Sequence, residues 1–143
     1  MKHVPVIIGI ILLTALAFGC SPSEEITVTE YWARPGIQDG NSAVYFIIEN
    51  NTAEDEVLLS AATDSANYVE LHRSSMNEAG TMMMQQQESI PIPANSSVAL
   101  EPGGLHVMLI ELAQDLTPGD QLTLRLSFQN SGTRELEVTV REP

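Results

Sequence analysis

The residues of this chain whose types could do chemistry are concentrated in one stretch, between positions 71 and 108. Apart from Met1 and His3, every methionine and histidine of the sequence lies inside it. They are His72, Met76, Met82, Met83, Met84, His106 and Met108. Thioether sulfur and imidazole nitrogen are ligand types that suit Cu(I). The clustering therefore predicts a site for a soft metal ion.

The spacing of His106 and Met108 indicates how two of these side chains could reach one ion. Residues i and i+2 of a β-strand share a face and lie about 6.5–7 Å apart. Both follow a Pro-Gly-Gly turn, so we expect them at the start of a strand, at an uncrowded rim. We expect His72 at the end of a second strand and the run at 82–84 at the start of a third.

Packing offers an alternative interpretation of each residue taken alone. Methionine commonly fills gaps in a hydrophobic core, and a single histidine is commonly a surface residue. Core packing does not, however, require the two histidines beyond Cys20 to lie beside all the methionines there. The combination favours a metal site. The alternative is a structural or adhesive β-sandwich lipoprotein with a methionine-rich core and no metal site.

The first twenty residues predict export. A short polar start precedes an apolar run at 4–18, which is short for a membrane span of about 20 residues. Cys20 is the only cysteine, so no intramolecular disulfide can form, and its position resembles that of the lipidated cysteine of a bacterial lipoprotein. We expect a signal peptide at 1–19, lipidated Cys20 with a short tether at 20–25, and a protein anchored on the periplasmic side of the cell envelope. An ordinary secretory signal is the alternative.

The exported part is strongly acidic. Five arginines against 19 acidic residues leave a net charge of −14 from Cys20 onward. Nucleic acid is therefore not expected as a partner, and membrane contact is expected through the lipid anchor only. We interpret the charge as an adaptation to a salty environment rather than as metal steering, because ions screen it within about 8–10 Å.

Residues 26–143 predict a single all-β domain. Short runs rich in Val, Ile, Thr and Tyr alternate with turn residues, and the alternation is cleanest at 121–128. Nine strands are expected, at 26–32, 43–49, 56–62, 68–73, 82–86, 97–100, 106–112, 121–128 and 134–140. Pro91 and Pro93 confine their segment to a sheet edge or to extended chain outside the ladder. Many short, regularly spaced strands indicate a β-sandwich or Greek-key barrel.

Several local sequences are distinctive, and together they span nearly all of residues 26–143. They are Trp32-Ala33-Arg34, Asn41-Ser42-Ala43-Val44-Tyr45-Phe46 with Glu49-Asn50, Val69-Glu70-Leu71-His72, Ile92-Pro93-Ala94, Pro102-Gly103-Gly104-Leu105-His106-Val107-Met108 and Gly119-Asp120. These sequences resemble one known family, the periplasmic copper chaperones called PCuAC, whose motif is His-x10-Met-x21-His-x-Met. The resemblance implies a cupredoxin-like fold and a copper carrier without catalytic activity.

This sequence is one residue too long for the motif between its two histidines. Counting forward from His72 leads to Met83, whereas counting back from His106 leads to Met84. Family members often read Gly-Val-Met-x-Met here, which aligns with residues 80–84, favours Met84 and places the extra residue in a turn at 75–79. Met83 is the alternative. Only one of them can serve, because a one-residue shift turns a strand side chain to the opposite face.

The resemblance implies one Cu(I) ion held by His72, Met84, His106 and Met108. Met76 and Met82 are candidate accessory ligands. Family members deliver copper toward the dinuclear copper site of cytochrome c oxidase, often alongside a thiol-bearing assembly partner. Some also have a His/Met-rich C-terminal copper site, which is not expected here because the sequence ends Arg-Glu-Pro.

Two other functions fit the sequence poorly. A blue-copper electron-transfer site needs a cysteine thiolate with two histidines, and Cys20 lies outside the predicted domain. A hydrolase would need a Ser-His-Asp triad or a zinc-type histidine cluster, which two histidines do not readily supply.

Overall fold

The computed structural model describes residues 25–143, and within them it contains ten β-strands and no helix. The strands are β1 (Ile26–Ala33), β2 (Ser42–Asn50), β3 (Glu56–Ala62), β4 (Ala66–Met76), β5 (Met82–Gln87), β6 (Ile90–Ile92), β7 (Ser96–Leu100), β8 (Leu105–Leu112), β9 (Gln121–Phe128) and β10 (Gly132–Val140). The all-β prediction is confirmed. This part of the chain accordingly offers no helix that could cross a membrane. The predicted signal peptide and Cys20 lie outside the described residues.

All ten strands belong to one continuous sheet in the order β5-β4-β8-β7-β2-β1-β10-β9-β3-β6. Neighbours are antiparallel except for the pairs β1–β10 and β7–β8, which are parallel. The first residues of β2, 42–44, also pair with residues 107–109 of β8, beside the longer pairing of β2 with β7. The sheet closes into a nearly complete barrel of the cupredoxin-like type, as predicted.

The inward face of the sheet forms one apolar core. In β9 the alternation read from the sequence is confirmed, because all four apolar side chains are buried while those between them are partly exposed. β8 contributes Val107 and Leu109 to the same core, and β4 contributes Leu71. Each such side chain adds about 1.5–3 kcal/mol by its removal from water. Because side chains alternate along a strand, the residues next to Val107, Leu109 and Leu71 point to the outer surface instead.

Three details of the strands differ from the prediction. β6 was not expected as a strand, although it lies at a sheet edge, where its Pro91 can be tolerated. The alternation in β1 is interrupted, because its register with β2 shifts between Thr29 and Trp32 and Glu30 has a φ of 53°. β4 continues to Met76 instead of ending near residue 73, so His72 lies inside the strand and not at its end.

β4 is longer than predicted because the turn that ends it comes later. Its last residues remain paired with β5 as far as Met76 and Met82. The connection at 77–81 is closed by Asn77, whose side-chain oxygen accepts hydrogen bonds from the backbone N–H groups of Ala79 and Thr81. Gly80 supplies the positive φ of 77° that the turn requires. Ser75 and Met76, which the sequence placed in a turn, are therefore part of the ladder.

Glu56 is a buried carboxylate that fixes the connection between β9 and β10. It is 3% exposed and accepts hydrogen bonds from the backbone N–H groups of Val57, Asn130 and Ser131 and from the Ser131 hydroxyl, at 2.7–3.0 Å. Burial alone would raise the pKa of Glu56, but these hydrogen bonds outweigh it and hold the pKa below its ordinary value of 4.5.

Replacing Glu56 by glutamine should lower the free energy of unfolding by about 2 kcal/mol near pH 7, because hydrogen bonds to a charged acceptor contribute about 1.5–3 kcal/mol. A carboxyl whose pKa is lowered by folding stabilises the fold above its unfolded pKa, and this stability is lost as pH falls through the folded pKa. The difference between the two proteins should therefore shrink below pH 4.5. Urea unfolding at pH 7 and at a pH below 4.5 measures the difference in the free energy of unfolding between the two proteins. The exposed Glu135→Gln variant is the control, and an equal loss there would contradict the assignment.

Candidate metal centre

The register of β4, β5 and β8 brings four of the predicted site residues to one face of the sheet. His72 lies directly opposite His106, Glu70 opposite Met108, and Ser74 opposite Met84. Directly opposed residues of an antiparallel pair share a face, as do residues two apart on one strand. His72, Met84, His106 and Met108 therefore all lie on the outer face, opposite the core residues Leu71 and Val107.

The same register separates Met83 from this group. Met83 pairs with Ser75, which is one residue away from Ser74 and so points to the other face. Met82 pairs with Met76 and shares the face of Met84. The structure thus places the favoured motif methionine, Met84, and both accessory candidates on the outer face, with His72 and His106. It places the alternative, Met83, on the opposite one.

His106 is buried and oriented by its neighbours. Its side chain is 3% exposed, and its Nδ1 donates a hydrogen bond of 3.1 Å to the carbonyl of Gly104, because a carbonyl can only accept. Tyr45 packs against the ring with centroids 6.3 Å apart. With the hydrogen on Nδ1, the lone pair is on Nε2. Burial lowers the pKa of His106, the Gly104 hydrogen bond opposes the shift, and nearby His72 adds to it. The neutral ring is the form that binds metals.

His72 has a buried nitrogen without a hydrogen-bond partner. Its Nε2 lies 2.7 Å from Oε2 of Glu70. A carboxylate only accepts, so Nε2 carries a hydrogen, and in the neutral ring Nδ1 holds the lone pair. Among the side-chain nitrogen and oxygen atoms of residues 25–143, Nδ1 of His72 is the one that is buried and unsatisfied. An unsatisfied buried polar atom costs about 1–3 kcal/mol, and a metal ligated by that nitrogen would remove the cost.

The two imidazoles are at a separation that suits a shared ion. Their ring centroids are 5.8 Å apart and their planes are inclined by 55°. A ligating imidazole nitrogen lies about 2.0–2.1 Å from its metal, so the ring centre lies about 3 Å away, and two rings on one ion have centroids about 6 Å apart at most. The observed separation falls within that limit.

Met84 and Met108 join His106 in an open groove of about 430 Å³. Its walls come from β2, β4, β5 and β8, from the loop after β1 and from the turn before β8. The residues that line it are Arg34, Pro35, Asn41, Ser42, Ala43, Tyr45, Ser74, Met82, Met84, Pro102, Gly103, His106 and Met108. Arg34 is the single charged residue among them. Calcium and magnesium prefer carboxylate and carbonyl oxygen, so this lining suits a soft monovalent ion better.

Glu70 is a functional candidate that the sequence analysis missed. Metal-binding histidines almost always donate their second ring N–H to a carboxylate or carbonyl, which fixes the tautomer and the ring orientation. Glu70 does this for His72, and the carbonyl of Gly104 does it for His106. The signal was available in the sequence, because the Glu-x-His spacing places both side chains on one face of a strand.

Replacing Glu70 by glutamine should weaken Cu(I) binding about tenfold to a hundredfold, the usual effect of losing such a partner. An amide is a poorer acceptor than a carboxylate and can present its N–H₂ group to Nε2, which would disfavour the tautomer with the lone pair on Nδ1. Competition with a Cu(I) chelator measures the affinity. Glu135→Gln, which removes one acidic charge far from the groove, is the control. Equal affinities in both variants would contradict the role of Glu70.

A family profile and a sequence relative each match most of this chain. The profile of a family described as "Putative lipoprotein LpqE-like" matches residues 26–140. The "Putative lipoprotein Lxx21020" of Leifsonia xyli subsp. xyli is 24% identical over 120 residues, which is 84% of this chain and 72% of that protein.

Two solved structures show the same fold. The copper-bound PCuAC domain from PmoF2 superposes with a TM-score of 0.69 and 21% identity, over 82% of this chain and 93% of that domain. The solution structure of Cu(I)-DR1885 from Deinococcus radiodurans superposes with a TM-score of 0.61 and 27% identity, over 80% and 78% of the respective chains.

Proposed function

Because the chain belongs to the LpqE-like family and has the fold of PCuAC domains, we propose that it is an extracytoplasmic Cu(I)-binding metallochaperone. It holds one Cu(I) ion with His72, Met84, His106 and Met108 and passes it to another protein. The observation that carries the proposal is the pair of opposed imidazoles. Each donates one ring N–H to a fixed acceptor, which leaves a lone pair for the ion on the other nitrogen.

The donor set suits Cu(I) as cargo. Two neutral imidazoles and two thioethers add no charge and do not impose the tetragonal geometry that Cu(II) prefers. Among residues 25–143, no group of three or more His, Cys, Asp and Glu side chains is arranged to hold a metal ion, which argues against a zinc centre. The open groove leaves one side of the ion accessible to ligands of an acceptor.

The acceptor is proposed on chemical grounds and by likeness to PCuAC proteins. An ion held by thioethers and imidazoles moves readily to thiolates or to other soft donors. The dinuclear copper site of cytochrome c oxidase, reached directly or through a thiol-bearing assembly factor, fits that description. Lipidation of Cys20 would hold the protein on the periplasmic side of a bacterial membrane, close to such a target.

The alternative function, a structural or adhesive lipoprotein, requires the methionines to pack in the core. Four of them are instead large exposed apolar side chains: Met76, Met82, Met83 and Met84. Solvent-exposed thioethers gain little from burial, so packing does not explain their number here. The exposure favours the metal-binding proposal.

Anaerobic titration with Cu(I) in competition with a chelator should show tight binding of one equivalent. Zn²⁺ should bind far more weakly, because the donor set contains no thiolate or carboxylate. The ¹H–¹⁵N spectrum should report the ion at both histidine rings. Absence of Cu(I) binding, or binding that leaves both rings unchanged, would refute the proposed function.

A further inference from the structure

Three thioethers form an exposed cluster on the outer face of the β4–β5 hairpin. Met76 is 67% exposed, Met82 is 51% exposed and Met84 is 56% exposed. His106 is 3% exposed, whereas Met76, the last residue of β4, is the most exposed methionine among residues 25–143. Side chains so accessible contribute little to the core, and flexible thioethers at a surface are free to bind soft ligands.

The register makes the three side chains neighbours. Met76 and Met82 are directly opposed, and Met84 is two residues from Met82 on the same strand. Their β-carbons are thus separated by about 5 Å for the opposed pair and by about 7 Å along the strand. An ion above the centre of this triangle lies about 4 Å from each β-carbon, within reach of a thioether sulfur that bonds a metal at about 2.3 Å.

We propose that Met76, Met82 and Met84 form a second, weaker Cu(I) site through which the ion leaves the first. The proposal rests on the proposed function and extends it by naming the route of transfer. Met84 belongs to both sites, so it stays bound while the ion moves outward. Three neutral thioethers without an imidazole hold the ion less tightly than the first site does, which suits a station for transfer.

The transfer is a ligand exchange without oxidation or proton movement. The Cu–S bond to Met108 and the Cu–N bonds to His72 and His106 break, while Cu–S bonds to Met82 and Met76 form. Copper remains Cu(I) throughout, and the neutral imidazoles regain their lone pairs. A thiolate of the acceptor then replaces Met76, the outermost thioether, at a position that the acceptor can reach without entering the groove.

The test is an anaerobic Cu(I) titration of protein carrying ¹³C in its methionine methyl groups. The first equivalent should shift the signals of Met84 and Met108. The second should shift those of Met76 and Met82, which hold it as a two-coordinate ion while Met84 stays bound to the first. Met83 is the matched control, because it lies in the same strand at 46% exposure but on the opposite face. Its signal should stay unchanged through both equivalents.

Leucine variants at Met76, Met82 and Met83 test whether the second site takes part in Cu(I) transfer. Met76→Leu with Met82→Leu should abolish the second equivalent and slow Cu(I) transfer to a bulky thiol chelator about tenfold, which is a small change in the barrier. Met83→Leu, at a position on the opposite face, should change neither the second equivalent nor the rate of transfer.

The outcomes separate the two proposals. A first equivalent without a second at Met76 and Met82, or transfer unaffected by the double variant, overturns the exit site and leaves the proposed function intact. A second equivalent that shifts Met83 as strongly as Met76 and Met82 also overturns it. Absence of any Cu(I) binding overturns both.

Discussion

Replacing His106 by alanine together with Met108 by leucine should weaken Cu(I) binding about 10⁴-fold. Four-ligand structural zinc sites bind with about 10–16 kcal/mol, which is about 3 kcal/mol for each ligand, and each 1.4 kcal/mol is a factor of ten. The two residues share the outer face of β8 and line the groove together. Competition with a Cu(I) chelator measures the loss.

The double variant needs a control for folding, because His106 is buried and its removal leaves a cavity. Met108→Leu alone is a nearly volume-conserving change that costs under about 1.5 kcal/mol of stability. It should weaken Cu(I) binding about a hundredfold, with circular dichroism and the thermal unfolding midpoint close to those of the wild type. Unchanged affinity in a folded double variant would show that the ion binds elsewhere.

Replacing Met84 by leucine should also weaken Cu(I) binding about a hundredfold, by the same ligand arithmetic. Leucine keeps the apolar character of the position but has no sulfur to donate. Met83→Leu, at the adjacent position on the other face, should leave the affinity within about twofold. The pair of variants therefore tests the register of β5 against β4.

The two methionines differ little in exposure, 56% and 46%, so a difference in stability between the variants is not expected. If Met83→Leu weakened binding and Met84→Leu did not, β5 would have to be shifted by one residue relative to β4. That result would also overturn the proposed exit site, because Met82 would turn to the face opposite that of Met76 and His72.

The sequence predicted much of the architecture because period-two alternation reports directly on a sheet with one buried face. Leu122, Leu124 and Leu126 are a case in which the pattern and the burial agree. The bulge in β1 was missed, because an irregularity in register leaves no mark on a polar stretch such as Thr29-Glu30. The extension of β4 was missed because Arg73–Ser75 are polar residues whose strand conformation is imposed by pairing with β5.

The face shared by His106 and Met108 could be predicted from their spacing alone. The position of Met84 beside them could not, because it depends on which residues of β4 and β5 are opposed, and the extra residue in the hairpin left two registers open. Asn77 and Gly80 resolve this by closing the turn at 77–81. Glu70 was overlooked, although the Glu-x-His spacing already predicts that its side chain shares a strand face with His72.

We propose that one Cu(I) ion is held by two imidazoles and two thioethers on the outer face of the sheet. X-ray absorption at the copper edge, on protein loaded with one equivalent of Cu(I), tests it most directly. We expect two nitrogen ligands at about 2.0 Å and two sulfur ligands at about 2.3 Å, with one sulfur lost in Met84→Leu and none lost in Met83→Leu. A first shell made only of sulfur, or one that is the same in both variants, would contradict it.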